Sequence, residues 1–381
     1  MADQKTLTLE QLPTPCYVIQ EAQLLRNLQI LRGVMERTGC HILLAQKAFS
    51  AFSVYPLIGQ YLSGTTASGL YEARLGAEEM GGEVHIFSPA YREDEFAEIC
   101  RLCDHIVFNS CRQVRLFGPK AREAGVSIGL RINPQCSTQE DHAIYDPCAP
   151  GSRLGVTLEQ LEPDVMDMVD GLHFHTLCEQ NADALATTLE AVEQKFGQWL
   201  PKMQWINFGG GHHITREDYD IPLLEQCITS MQQKYGLQVY LEPGEAVALN
   251  AGLLATTVLE VVQNGIEIAI VDTSAACHMP DVLEMPYRPP LLDSGWPAEK
   301  THTYRLAGPT CLAGDIIGEY SFAMPLSPGQ RLYFADMAIY SMVKNNTFNG
   351  MALPGIALQK QDGSCQMIRQ FGYADFKNRL S

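Results

Sequence analysis

The chain has 381 residues, of which 46% are hydrophobic and 19% are charged, and its formal net charge is −17. This size suits one large domain plus a smaller one, and the acidic excess argues against nucleic acid or an anionic membrane as a partner. The acidic surface either favours a cationic small molecule or simply aids solubility.

The N-terminal twelve residues have neither the basic start nor the apolar run of a signal peptide, and no apolar stretch is long enough to span a bilayer. The 12 cysteines are scattered, without paired metal spacing. Reduced thiols are the default for such a chain, so we expect a cytoplasmic protein.

Strand-like runs alternate with helical patterns through the first two thirds of the chain. A strand is predicted at 15–19, followed by an amphipathic helix with Leu24, Leu28 and Leu31 at helical spacing. Further strands are predicted at 41–46, 65–67, 84–87, 105–108, 127–132, 171–175, 204–208 and 238–241. Helices are predicted between them, at 92–103, 111–124, 158–169, 182–200 and 218–235.

This alternation predicts a parallel sheet, because parallel neighbours need a crossover helix. Eight such strands are the number that closes a (β/α)8 TIM-like barrel, which we expect over residues 21–254. An open doubly wound sheet is the alternative.

The pattern changes near residue 255. Strand-like runs at 256–263, 266–272, 301–307 and 331–334 follow one another without long helices between them. This favours a second, mostly antiparallel β domain, formed by residues 1–20 and 255–381, into which the strand at 15–19 pairs.

Unusual polar residues and glycines follow the predicted barrel strands at their carboxyl ends, where barrel enzymes carry their chemistry. They are, in chain order, Lys47, the pair His173 and His175, the triplet Gly209, Gly210 and Gly211, and Glu242. Each also has a simpler interpretation, as a solvated lysine, core histidines, a tight turn or a turn-holding carboxylate. The histidines, together with His212 and His213, could also bind a metal.

Taken together, these residues match the needs of one ligand. A lysine can condense with an aldehyde, glycine amides can hold a phosphate, an imidazole can stack on a ring, and a carboxylate can face a ring nitrogen. That ligand is pyridoxal 5'-phosphate, and this interpretation requires no metal.

The chain resembles the fold-type III pyridoxal-phosphate decarboxylases, a group that includes ornithine, diaminopimelate and carboxynorspermidine decarboxylases. The resemblance runs from Pro15 through the C-terminus and is specific because six motifs occur in order. They are Ala45-Gln46-Lys47-Ala48, Gly171-Leu172-His173-Phe174-His175, Gly209-Gly210-Gly211, Glu242-Pro243-Gly244, Gly308-Pro309-Thr310-Cys311 and Thr347-Phe348-Asn349-Gly350.

The resemblance implies a role for each matching residue. Lys47 would be the Schiff-base lysine, His175 would stack on the cofactor ring, and Glu242 would pair with the pyridine nitrogen. The three glycines would bind the phosphate, with Tyr340 near it. Cys311 would be the candidate proton donor that the partner subunit places in the active site, so the resemblance also implies a homodimer with shared sites.

Departures from the motifs indicate the subgroup. Glu245 stands where relatives often carry an Arg, and Leu312 follows Cys311 where relatives carry an acid. The stretches 277–289 and 371–377 resemble carboxynorspermidine decarboxylases. Glu245, Asp281 and Asp315 would then bind substrate amines, although loop solvation or turn capping is an alternative for Asp281 and Asp315.

The resemblance therefore implies decarboxylation of carboxynorspermidine or carboxyspermidine to norspermidine or spermidine, in polyamine biosynthesis. Another basic amino-acid decarboxylase, acting on diaminopimelate or ornithine, and an amino-acid racemase of the same fold are the nearest alternatives. A pyridoxal-phosphate carrier without activity and a metal-dependent hydrolase using His173, His175 and His212 are more distant ones.

Overall fold

The structure is a computed structural model that describes residues 7–139 and 143–381. The chain divides into two compact units, one of residues 27–247 and one of residues 1–26 with 248–381. The sequence-based limits, 21–254 and 1–20 with 255–381, stay predictions, and residues 1–6 of that first segment lie outside the described part.

The larger unit is built on a closed parallel barrel. The chain first forms β1 (Cys16–Gln20) and α1 (Glu21–Thr38). The barrel strands are β2 (His41–Ala45), β3 (Gly64–Ala67), β4 (Glu83–Phe87), β5 (His105–Phe108), β6 (Ser127–Arg131), β7 (Gly171–His173), β8 (Trp205–Asn207) and β9 (Gln238–Leu241). They pair in this order, and β2 also pairs with β9, so that the sheet closes.

Helices connect most of these strands. They are α2 (Tyr55–Ile58), α3 (Leu70–Glu79), α4 (Glu93–Leu102), α5 (Cys111–Glu123), α6 (Ala182–Phe196) and α7 (Ile221–Tyr235), and α8 (Glu245–Ala248) follows the last barrel strand. The helix predicted at 158–169 is wrong. That stretch forms two short 3-10 turns, Leu158–Gln160 and Pro163–Asp167, because Pro163 lacks an N–H and disfavours a helical conformation at the residue before it.

Side chains fill the barrel interior. Trp205 on β8 occupies the space beside Gly129 and Gly171, and a Cβ added at either glycine would lie within 2.4 Å of the indole ring. Trp205 also packs in a buried cluster with Leu43, Val107 and Tyr240. Two glycines on neighbouring strands thus make room for one large aromatic side chain, as dense interior packing requires.

The smaller unit is a mostly antiparallel sheet. Its later strands are β10 (Gly252–Asn264), β11 (Ile266–Val271), β12 (His302–Ala307), β13 (Ile316–Phe322), β14 (Arg331–Ala335), β15 (Gly355–Gln359) and β16 (Cys365–Arg369). The main strand order is β13-β12-β11-β10-β1-β15-β16, with β14 also on β10. The pairs β1–β15 and β11–β12 are parallel. As predicted, the strand near residue 16 pairs into this sheet.

Short helices accompany this sheet. They are α9 (Ala275–His278), α10 (Asp281–Glu284), α11 (Ser341–Lys344) and α12 (Tyr373–Lys377). The core of this unit lies around Tyr17, Tyr304, Tyr320 and Phe334, which are nearly or fully buried. The predicted fold class, a (β/α)8 barrel plus a mostly antiparallel β domain, is confirmed. Among the described helices, none combines the length and apolar composition needed to cross a membrane.

Candidate active site

A pocket of about 200 Å³ opens at the carboxyl ends of the barrel strands. Five of its lining residues carry titratable or cationic groups: Lys47, Arg131, His173, His175 and Glu242. Ala45, Thr66, Ala67, Ser68, Phe87, Pro89 and Leu154 complete the wall. The structure therefore brings together three residues predicted from separate parts of the sequence, Lys47, His175 and Glu242.

Lys47 is held in the pocket by the residues on either side of it. The amide of Ala45 donates to the carbonyl of Pro243, and that of Gln46 to the carbonyl of Thr66. The Gln46 side chain is buried and donates to the carbonyl of Glu72. These contacts fix the turn after β2, so the lysine side chain must extend into the cavity.

The environment of Lys47 favours its neutral amine. Its side chain is accessible to water, but only inside the pocket, whose walls surround it and reduce the solvation of its ammonium group. This burial, and secondarily the Arg131 guanidinium, lower the pKa of Lys47, whereas Glu242 opposes the shift. A lysine with a lowered pKa is a better nucleophile near neutral pH.

Glu242 is a buried carboxylate held from two sides. Its Oε1 accepts a hydrogen bond of 2.8 Å from the Asn207 amide, and its Oε2 lies 3.2 Å from Nε2 of His173. Burial alone would raise the pKa of Glu242, but His173, His85 and Asn207 outweigh it and lower the value to about 2. The carboxylate is therefore anionic and oriented, while each oxygen retains a lone pair for a further donor.

The glycine turn packs directly against His175. The Gly210 amide donates to Nδ1 of His175 at 3.3 Å, and the Gly209 amide donates to Asn207 at 2.8 Å. A Cβ on Gly209 would lie 2.3 Å from the carbonyl of Phe174, and one on Gly211 would lie 2.0 Å from that of Leu177. The glycines are required by these close approaches and by positive φ angles at Gly209 and Gly211.

The strand predicted at 171–175 ends at His173, so His175 lies in the following loop. Both histidines nevertheless line the pocket. Burial is the main cause that lowers the pKa of each, and the Lys47 and Arg131 cations lower that of His175 further. His175 is therefore a neutral imidazole, able to lie against an aromatic ring.

Arg131 and Asn207 are site residues that sequence reasoning missed. The buried Arg131 guanidinium lies 4.5 Å from the centroid of the Phe87 ring and donates to the carbonyl of His175 at 3.0 Å. Phe87 stacks in turn on His173, with 5.6 Å between centroids. Arg131 is the last residue of β6 and lies one residue before the end of the strand predicted at 127–132. A charged residue near the carboxyl end of a predicted barrel strand was therefore a usable signal, as it was for Lys47 and Glu242.

These residues fit pyridoxal phosphate. Lys47 and Arg131 bring two potential positive charges to the pocket and Glu242 brings one negative charge, a balance that suits an anionic ligand. The oriented, anionic Glu242 suits a protonated ring nitrogen, and the lowered pKa of Lys47 favours the amine form that reacts with an aldehyde. Nδ1 of His173 is buried without a hydrogen-bond partner among the described residues, so this ring is held only at Nε2.

Glu245 lies in a second cluster at the same end of the barrel. Its Oε2 is 3.5 Å from Nε2 of His213, and Glu179 completes a group whose ligand atoms lie within 4.8 Å of one another. Glu245 follows β9 by four residues, and Glu179 follows β7 by six. The cluster offers two carboxylates to a cation.

The remaining predicted residues belong to the sheet unit. Cys311 is exposed, and its amide donates to the side chain of Asn349. Tyr340 has a φ of 53° and precedes α11. Asp281 forms an ion pair with Lys344. Asp315 is buried and accepts hydrogen bonds from the Thr310 hydroxyl and the Ala276 amide, which agrees with the turn-capping alternative.

Comparison with known proteins gives the family. The family described as "Pyridoxal-dependent decarboxylase, C-terminal sheet domain" matches residues 16–338. The chain belongs to the pyridoxal-dependent decarboxylases. A carboxynorspermidine/carboxyspermidine decarboxylase from Campylobacter jejuni is 42% identical, and the match covers 97% of this chain and 99% of that protein.

Two further comparisons narrow the group of relatives. A carboxyaminopropylagmatine decarboxylase from Synechocystis is 41% identical, with 98% of this chain and 96% of that protein covered. A crystal structure of carboxynorspermidine decarboxylase from C. jejuni, complexed with norspermidine, has a TM-score of 0.90 and 41% identity. That match covers 97% of this chain and all of the other. The predicted family is confirmed, and membership among decarboxylases argues against the racemase, carrier and hydrolase alternatives.

Proposed function

We propose that this enzyme decarboxylates carboxynorspermidine and carboxyspermidine, and so releases CO2 and forms norspermidine or spermidine in polyamine biosynthesis. The observation that carries the proposal is the 42% identity, over almost the whole of both chains, to the C. jejuni decarboxylase of those two substrates. The pocket supports the reaction type, because it combines a lysine whose pKa is lowered by burial with an anionic, oriented carboxylate.

Pyridoxal phosphate is the cofactor that we assign to this pocket. Lys47 would carry it, His175 would lie against its ring, Gly209, Gly210 and Gly211 would hold its phosphate, and Glu242 would face its ring nitrogen. Two of the glycine amides already donate to Asn207 and His175, so phosphate binding there rests on the Gly211 amide or on sharing those bonds. When bound, the cofactor supplies an electron sink for the charge left at Cα as CO2 departs.

The protein's own residues then control protons and orientation. Glu242 favours a protonated ring nitrogen, since a nearby negative charge stabilises the charged form. Asn207 and His173 keep that carboxylate in place. Arg131 and the enclosed position of Lys47 favour the neutral amine that the lysine needs as a nucleophile.

Cys311 remains the proposed proton donor to Cα. Its exposure within its own chain is compatible with a role in the active site of a partner subunit, and the proposal therefore includes a homodimer with shared sites. Tyr340 remains a proposed neighbour of the phosphate.

Glu245 and Asp281 are the carboxylates that we propose for the substrate amines. Glu245 belongs to the cluster with His213 and Glu179. Asp281 is already paired with the Lys344 ammonium, so a substrate ammonium would have to replace that side chain. Asp315 was predicted as a third such group, but both its oxygens are used within the sheet unit, and we assign it to turn stability.

Carboxyaminopropylagmatine is a second candidate substrate, favoured by the 41% identity to the Synechocystis enzyme of that name. Steady-state kinetics on the purified enzyme with five compounds would test the proposal: carboxynorspermidine, carboxyspermidine, carboxyaminopropylagmatine, ornithine and diaminopimelate. We expect kcat/KM to be highest for the two carboxylated triamines. A highest value for carboxyaminopropylagmatine would select the second candidate, and one for ornithine or diaminopimelate would contradict both.

A further inference from the structure

A second polar cluster lies inside the barrel at the amino ends of the strands, away from the pocket. His41 begins β2, Glu83 begins β4 and His105 begins β5, while His85 follows Glu83 by two residues on the same side of β4. We call these four residues the floor cluster. None of the four lines the pocket, although His85 helps to lower the pKa of Glu242. The metal alternative raised in the sequence analysis concerned other histidines: His173, His175, His212 and His213.

Glu83 is the centre of the floor cluster. Its Oε1 lies 2.6 Å from Nδ1 of His41, and its Oε2 lies 3.0 Å from Nε2 of His85. The His85 and His105 rings stack with 4.0 Å between centroids and 12° between planes. A carboxylate and three imidazoles therefore occupy one small volume inside the barrel.

Two nitrogens of this cluster lack partners. Nδ1 of His85 and Nδ1 of His105 are both buried, and neither has a hydrogen-bond partner among the described residues. The His85 side chain is only 1% exposed, so water cannot compensate freely. Buried polar atoms without partners are uncommon in folded proteins and point to an unseen ligand.

We propose that Glu83, His85 and His105 bind one divalent transition-metal ion, with zinc as the ion that their chemistry fits. One ligand atom from each of the three lies within 4.8 Å of the other two. Two imidazoles with one carboxylate are a donor set that zinc accepts, and a water molecule would complete the four positions. His41 supports the site from outside, because its bond to Glu83 orients the carboxylate.

Metal binding requires one adjustment. Ring nitrogens bind metals in the plane of the ring, and two stacked rings present nearly parallel planes. One imidazole must therefore turn about its Cβ–Cγ bond. His105 is the ring that can turn, because its Nδ1 has no hydrogen-bond partner among the described residues, whereas Glu83 holds His85 at Nε2. An ion can enter from solvent, since the His41 and Glu83 side chains are 37% and 27% exposed.

The proposed site is structural. It would join β4 to β5, two adjacent strands, at the barrel end where residues serve stability rather than catalysis. A ligand that binds only the folded protein raises its stability with concentration. Added zinc should therefore raise the melting temperature without being needed for turnover.

Calorimetric titration of metal-free holoenzyme with zinc chloride would test the site. We expect one zinc ion per chain with a Kd of about 10 μM or tighter, and a higher melting temperature in its presence. His105→Asn and Glu83→Gln should each weaken binding by about tenfold or more. His302→Asn, which changes a histidine of β12, is the matched control and should bind like the wild type.

Two results would overturn the proposal. One is no zinc binding to the wild type at 100-fold excess over protein. The other is binding that survives His105→Asn but is lost in Glu245→Gln, which would move the ion to the Glu179–His213–Glu245 cluster. If Glu83→Gln fails to fold, as judged by circular dichroism, the zinc affinity of His105→Asn alone decides whether the ion binds at the floor cluster.

Discussion

The two ends of the barrel each hold a glutamate flanked by histidine, yet they differ in what surrounds it. At the carboxyl end, Glu242 shares its pocket with the Lys47 amine and the Arg131 guanidinium. At the amino end, the Glu83 carboxylate lies within hydrogen-bonding distance of two imidazoles, those of His41 and His85, and of no lysine or arginine that the structure describes as its partner. Glu242, which lies beside cations and an open cavity, can therefore take part in a reaction. Glu83, which lies beside imidazoles, can instead orient a histidine ring or bind an ion.

The electrostatic consequences also differ. At the carboxyl end, burial and then Arg131 lower the Lys47 pKa, which favours the neutral form of its amine. At the amino end, the His85 and His105 rings stack on each other, and the Tyr240 ring lies tilted against His85 with 4.9 Å between centroids. The same strands thus carry a reactive end and a packed end, as barrel enzymes generally do.

Of the changes proposed for the carboxyl end of the barrel, removal of Lys47 should reduce activity the most. Lys47→Ala deletes the group that we propose carries the cofactor, and we expect kcat/KM to fall on the order of a thousandfold or more. Steady-state decarboxylation assays with carboxynorspermidine would measure it. Lys202→Ala, at an exposed lysine paired with Asp167, is the control and should keep wild-type turnover. Comparable activity in the two variants would contradict the role of Lys47.

Neutralising Glu242 should have the next largest effect. Glu242→Gln keeps the size of the side chain but loses the charge that we propose favours a protonated ring nitrogen, so kcat should fall on the order of a hundredfold. Cofactor content, measured by visible absorbance, should stay close to that of the wild type. Glu190→Gln on the outer face of α6 is the matched control. An unchanged kcat in Glu242→Gln would remove Glu242 from the mechanism.

Changing Arg131 should have a smaller effect that is specific to pH. Arg131→Met removes a cation that lowers the Lys47 pKa, so that pKa should rise and capture of pyridoxal phosphate by the apoenzyme should require a higher pH. Arg131→Lys keeps the charge and should retain the wild-type midpoint more closely. The rate of cofactor capture would be measured for both variants and the wild type from about pH 6 to about pH 10, a range that extends downward from the ordinary pKa of a lysine amine. Identical midpoints in wild type and Arg131→Met would show that Arg131 does not act on Lys47.

The sequence predicted the barrel well because strand and helix alternate along it with clear apolar runs. It failed at 158–169, where a helical pattern of apolar residues was broken by the backbone constraint of Pro163. It also missed β13, β15 and β16 in the sheet unit, which are short runs of five to seven residues. Tertiary pairing, rather than local pattern, makes these segments strands.

The site was predictable to the extent that its residues follow strands. Lys47, His175 and Glu242 come together because parallel strands end at one face. The role of Asn207 was not predictable from the sequence. Asn207 donates a hydrogen bond to Glu242 and accepts one from the Gly209 amide, and only the folded structure places Glu242 beside it. The ion pair of Asp281 with Lys344 could not be predicted from the sequence either, because the two residues are 63 positions apart.

Chemical fixation of the cofactor tests the central claim, that the chemistry lies at the carboxyl end of the barrel on Lys47, most directly. Holoenzyme would be reduced with borohydride, digested and analysed by mass spectrometry to find the lysine that holds pyridoxal phosphate. We predict one modified peptide, and that it contains Lys47. Modification at another lysine, or no modification in active enzyme, would contradict the account.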